Sequence, residues 1–221
     1  MKLFRQFTWQ SLKANRSRTL VTIIGIILSV ALLTAVAAGA YSGQQYMVEV
    51  SQAVDGNYHA FGEDLSKEAL AKLENEEQVT SVATLARIGY AQGNALNAQR
   101  PYLYLAAASV NLQDLLAVHL EQGRLPATED EIALPTSYLQ PDGKPYRLGS
   151  TLELETGVRQ LDGQTLWQDV PLQENETFTA QAKHTYTIVG LFQPLDYTLE
   201  WYDAPSYLAL TGGTGDGTYL A

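Results

Sequence analysis

Thr19 to Ala40, TLVTIIGIILSVALLTAVAAGA, is a run of 22 residues without a charge, and no other stretch constrains the fold so tightly. At about 1.5 Å per helical residue it measures roughly 33 Å, enough to cross a hydrocarbon core of about 30 Å. Lys2, Arg5, Lys13, Arg16 and Arg18 precede it with no acid among them, and all 24 Asp and Glu follow it. The positive-inside rule then places residues 1–18 in the cytoplasm, a helix over 19–40 in the cell membrane, and everything after about residue 41 outside. A cleaved secretory signal is the alternative, because Ala38-Gly39-Ala40 has the A-x-A form of a cleavage site. Against it, signal h-regions run about 7–15 residues. This run is longer, and the basic segment before it carries Phe4, Phe7 and Trp9.

The exported portion, about 180 residues, is long enough for one domain or two small ones with a real core. It sets nine Lys/Arg against all 24 acids, which argues against nucleic acid as a partner and against broad contact with anionic lipid. Cysteine is absent, so disulfides, thiol catalysis, cysteine–zinc sites and a lipoprotein anchor are excluded together. All 13 tyrosines lie beyond residue 40, among short runs rich in Val, Thr and Leu, a composition that favours strands.

Residues 2–15, with Leu3, Phe7 and Leu12 toward one side, are expected to lie on the inner membrane surface, their basic residues meeting anionic headgroups. The spanning helix should continue outward to Val54 as a helical stalk within 41–56, since no proline interrupts it before Asp55-Gly56-Asn57. Beyond it the pattern is α+β. Strands are expected at Asn57–Phe61, Val79–Tyr90, Tyr102–Val110 and Glu131–Leu134, with one helix capped by Ser66 and running to Glu74. The stripe Leu112, Leu115, Leu116 and Leu120 predicts a second helix over Leu112–Glu121, ended by Gly123 and Pro126. That order is a βαββαβ-like, split βαβ extracytoplasmic arrangement over residues 57–140.

After Pro141-Asp142-Gly143 the texture changes to strands without helices: Leu152–Glu155, Gln164–Val170, Phe178–Ala182 and Tyr186–Phe192. They predict a small all-β subdomain inserted at 141–192. Residues 193–210 would return to the first subdomain through a strand at Tyr207–Leu210, and 211–221 would form a flexible tail.

Motifs that carry chemistry are scarce. The tail sequence GGTGDGT lacks the following helix and the Lys-Ser/Thr pair of a phosphate loop, so the chain is not expected to be its own ATPase. His59, His119 and His184 are far apart in sequence without metal-ligand spacing, and His119 falls beside an apolar stripe, as a core or half-buried histidine would. Glu129, Asp130 and Glu131 share one solvated turn, and no G-x-S-x-G elbow occurs. Asn175-Glu176-Thr177 has the form of a glycosylation sequon and is read as a polar loop. No catalytic, cofactor-binding or metal residue is assigned, no cofactor is expected, and the chain is read as a non-enzyme. Within the span, Gly25 with Ser29, and Ala31, Ala35 and Gly39, make small-residue lines that let helices pack closely in lipid. Such residues are also common in any span, and both readings stand.

Three exported segments, in order, resemble FtsX-like or MacB-type ABC transporter permeases and their extracytoplasmic core domain. They are LEQGRLPATEDEIAL (120–134), similar to a "GR.P...nEI.l" stretch at Gly123, Arg124, Pro126, Glu131 and Ile132; LGSTLEL (148–154), similar to "vGd.i.l"; and YTIVGL (186–191), similar to "f.VvGi". The N-terminal QFTWQSLKANRSRTLVTIIGIILSVAL looks like the first helix and preceding elbow of such permeases. Ser150 stands where the family often has Asp, and the chain stops where the family continues into three further spans, which reads as a fragment or a truncated permease.

The resemblance implies a non-catalytic permease subunit working with a separate cytoplasmic ABC ATPase subunit and with a second permease subunit. Its exported domain would couple ATP-driven motion to export, extraction or activation of a peptide, lipid, lipoprotein or cell-wall hydrolase. The alternative is a single-pass, membrane-anchored extracytoplasmic binding or sensor module without an ATPase.

Overall fold

The computed structural model describes residues 8–10, 12–54, 56–62, 65–93, 96–194 and 204–213. It divides into two compact units, Met1–Ser51 and Gln52–Ala221. In the first, residues 8–10 and 12–14 are helical and Asn15 makes a turn. Helix α1 (Arg16–Val54) then runs unbroken for 39 residues, about 58 Å at the standard rise, with no side chain buried. Among the described residues it is the one helix long and apolar enough to cross a membrane. Three hydroxyls of its apolar run hide their polarity by bonding back one turn: Thr22 Oγ1 donates to Arg18 O (2.9 Å), Ser29 Oγ to Gly25 O (2.8 Å) and Thr34 Oγ1 to Val30 O (2.8 Å). The last three residues of α1, Gln52–Val54, belong to the second unit.

The second unit begins with α2 (Lys67–Glu74), whose start is fixed by Ser66 Oγ accepting from Ala69 N at 3.2 Å. Half-buried Leu70 and its neighbour Leu65 pack on Ala86 and Ala107. Next come β1 (Leu85–Gln92), β2 (Tyr102–Ala108), a single turn α3 (Leu112–Leu115), β3 (Leu120–Gly123), β4 (Glu131–Pro135), β5 (Thr151–Leu161), β6 (Gln164–Leu166), β7 (Thr177–Phe192) and β8 (Ser206–Thr211).

Six strands close into a ring in the order β7-β4-β8-β2-β1-β5, with β5 returning to β7. β3 adds to β7 and β6 to β5. The β2–β8 and β4–β7 pairs are parallel and the others antiparallel. Closure is narrowest at β1–β5, where only Tyr90↔Gly157 and Ala91↔Thr156 pair, and at β4–β8, with Ile132↔Thr211 and Ala133↔Leu210.

Alternation splits the core between the two faces of the central strands. Tyr104, Ala106, Leu208 and Leu210 belong to one cluster, and Leu103, Leu105, Ile132 and Ala209 to the other. Every residue of β2 is buried, so this strand, parallel to β8, has the near-continuous apolar sequence of a strand covered on both sides.

The α+β class and the long apolar N-terminal helix agree with the sequence reading. The arrangement of the strands differs from it. Residues 57–62 form no strand, and Gly56 instead makes an isolated bridge to Leu116. The helix expected over 112–121 stops at Leu115, because Leu116 turns extended (φ −109°, ψ 144°). Leu116, Val118 and Leu120 also satisfy a period of two, so their inward faces fit a strand-like run as well as a helical stripe. Residues 141–192, read as an inserted subdomain, supply β5–β7, and β5 and β7 close the ring itself. The two strands expected at Phe178–Ala182 and Tyr186–Phe192 are one strand of 16 residues. Residues 195–203 of the expected return, and 214–221 of the tail with most of GGTGDGT, lie outside the described residues, as do residues 1–7 of the N-terminal segment.

Candidate functional site at residues 52–57 and 115–119

The end of α1 is fastened to the loop after α3 by contacts lying wholly within the second unit. His119 Nε2 is 3.2 Å from the Ala53 carbonyl, one of the last-turn oxygens a helix leaves without an internal donor. Asn57 N donates to Leu115 O at 2.8 Å, and Gln52 Nε2 donates to Asn57 Oδ1 at 3.1 Å. Between them Gly56 has φ +112°, and a Cβ there would overlap the Leu115 carbonyl oxygen and lie 2.8 Å from Leu116 Cα. Only glycine fits this crossing.

The far side of the loop is tied to the sheet. Leu115, Leu116 and Leu120 pack against the core cluster that holds Leu112 and Val118, and His119 O accepts from Gln193 N at 2.9 Å where the chain leaves β7. His119 is therefore exposed and in an extended segment, not on a helix or in the core as its sequence surroundings predicted.

The segment 123–132 forms a clasp. Arg124 Nη1 donates to Glu131 Oε2 at 2.7 Å and Nη2 to Glu131 Oε1, while Ala127 N donates to Glu131 Oε2 at 2.8 Å. Those bonds to Arg124 and the Ala127 amide hold the Glu131 carboxyl down at about 2. Gly123 has the left-handed φ of +79° expected of it, but at the end of a strand, where a Cβ would overlap Val189 O; Gly190 is pressed equally closely by Arg124 O. These motif positions hold β3, β4 and β7 together.

A second polar centre was not visible in the sequence. Arg159 on β5 is fully buried and uses all five N–H groups: Nε and Nη2 reach Glu176 at 2.9 and 2.7 Å, Nη1 donates to Trp167 O and Val170 O, and Nη2 also donates to Pro171 O. Its guanidinium lies over the Tyr90 and Tyr102 rings at 5.3 and 5.6 Å. Burial opposes ionisation of Glu176, but the Arg159 bonds and the Gln173 amide hold its carboxyl below the ordinary range. Burial pushes both the Tyr90 and Tyr102 phenols up to about 12. With every donor committed, the pair organises the loop Trp167–Glu176 and offers nothing to a substrate. Glu176 is also the middle residue of the sequon, which fits the polar-loop reading of Asn175-Glu176-Thr177.

His59 and His184 are exposed. Among the described residues no group of three or more His, Cys, Asp and Glu is placed to hold a metal ion. In the first unit, Trp9, Leu12 and Lys13 face Arg16, Leu20 and Ile24 of α1 across an open apolar groove. No family model matches the chain, and no curated protein matches it.

Proposed function

We propose that this chain acts in the permease subunit of an ABC transporter, at the cell membrane with its N-terminus in the cytoplasm, as a non-catalytic part that carries ATP-driven motion outward. One observation carries the reading: α1 continues as one helix well past its apolar run, and its last residues, Gln52–Val54, are tied to the 115–119 loop within the second unit. An anchor needs only to reach the surface, and a flexible linker would serve it. Carrying a displacement requires a stiff rod and a fixed end, and both features fit that requirement.

In this reading the work is mechanical. A cytoplasmic ATPase subunit closes on nucleotide, α1 shifts, and the exported domain grips, releases or activates a peptide, lipid, lipoprotein or cell-wall hydrolase. The small-residue lines at Gly25/Ser29 and Ala31/Ala35/Gly39 would seat α1 against further helices, including those of a second permease subunit.

The test is purification of the tagged full chain from membranes of its native cell in mild detergent, with sequencing of whatever accompanies it. A stoichiometric subunit carrying a phosphate loop is expected. Recovery of the chain without any nucleotide-binding subunit would overturn the reading in favour of an anchored binding or sensor module.

A further inference from the structure

We propose that His119 is the latch of the joint, a positioning residue that makes the end of α1, the 115–119 loop and the exit of β7 open and close as one cooperative unit. The inference deepens the transport reading by naming where motion of the helix would enter the strand domain, and only that consequence rests on the reading.

His119 makes hydrogen bonds in two directions, its ring to Ala53 O and its own carbonyl from Gln193 N. Among the described residues, no other position in the loop is hydrogen-bonded both to the last turn of α1 and to the chain leaving β7. Asn57 and Gly56 fix the register of the crossing, but they grip Leu115 and Leu116, upstream of the point where the chain becomes β3. His119 immediately precedes Leu120, whose partner on β7 is Phe192. A pull on the last turn of α1 is thus delivered one residue from the β3–β7 ladder and directly onto the amide that follows it. His119 is exposed, so core burial does not account for its place there. Its nitrogen supplies the donor that a helix end lacks, with the imidazole at the C-terminal, electronegative pole.

The test is amide hydrogen exchange on the full chain in nanodiscs, comparing wild type with His119→Ala and His119→Gln. The glutamine amide is a long neutral donor able to reach the same carbonyl. In His119→Ala, exchange at Asn57 and at Gln193 should rise together, at least tenfold, with α2 and β2 unchanged, and His119→Gln should bring both back to within threefold of wild type. A rise at Asn57 alone, no rise at either amide, or a glutamine variant no better than alanine would overturn the latch. The experiment involves no ATPase, so its failure speaks only to His119, and the absence of an ATPase partner speaks only to the transport reading.

Discussion

Replacing Gly56 by alanine attacks the joint at its tightest point. A residue with a side chain held at φ +112° carries about 1–3 kcal/mol of backbone strain. The new Cβ would also overlap Leu115 O, so the Asn57 N to Leu115 O bond has to lengthen or break, at a further cost of about 0.5–1.5 kcal/mol. Together these make about 1.5–4.5 kcal/mol, or about a 10- to 1,600-fold increase in local opening at about 1.4 kcal/mol per tenfold. The assay is native-state hydrogen exchange at Asn57 and Leu116, whose amides lie in the crossing. Gly43→Ala is the control: it lies in the middle of α1 with open space around it, and alanine there should favour the helix by about 0.8–1 kcal/mol. If Gly56→Ala exchanges like wild type, the crossing is not fixed by steric fit, and the account of the joint fails.

Arg159→Met should cost about 3–5 kcal/mol in urea unfolding of the full chain followed by tryptophan fluorescence, because Glu176 is left buried and charged, whereas the double variant Arg159→Met/Glu176→Leu should recover most of the loss. A double variant as unstable as the single one would show that the pair is not the source of the loss. For Glu131, the folded value of about 2 lies below the ordinary 4.5, so its stabilising contribution is complete above about pH 4.5 and is lost as pH falls through about 2. Glu131→Gln should accordingly flatten the acid limb of the stability profile between those values, and an unchanged limb would refute the clasp.

What the sequence made legible depended on whether one period or two fitted the residues. α1 was readable from Thr19 onward, since an uncharged run to Ala40 followed by a proline-free stretch to Val54 favours a helix, although the helix begins three residues earlier at Arg16; Ser66 marked the start of α2. β2 and β4 were placed within two residues by their apolar runs. The stretch Leu115–Leu120 misled because its leucines satisfy helical and strand spacing together, and the tertiary bridge from Gly56 to Leu116 decides between them. Ring closure was invisible for a related reason: it rests on two-residue pairings such as Tyr90↔Gly157, made between segments 67 positions apart that carry no local signal. The joint and the Arg159 centre were missed because a lone histidine, glycine or arginine gives no pattern. For Gly56 the signal was the turn-forming Asp55-Gly56-Asn57, read as a stop and not as a crossing.

The central claim is that motion passes from α1 into the strand domain through a stiff connection. It is tested most directly by inserting four glycines after Gln45 in the chain, purified in nanodiscs with the ATPase subunit that the proposed function requires, and comparing exchange at residues 115–123 between nucleotide-free and vanadate-trapped states. The account predicts a nucleotide-dependent change at these residues in the wild type that disappears with the insertion while ATP hydrolysis continues. The same change with and without the insertion would contradict it.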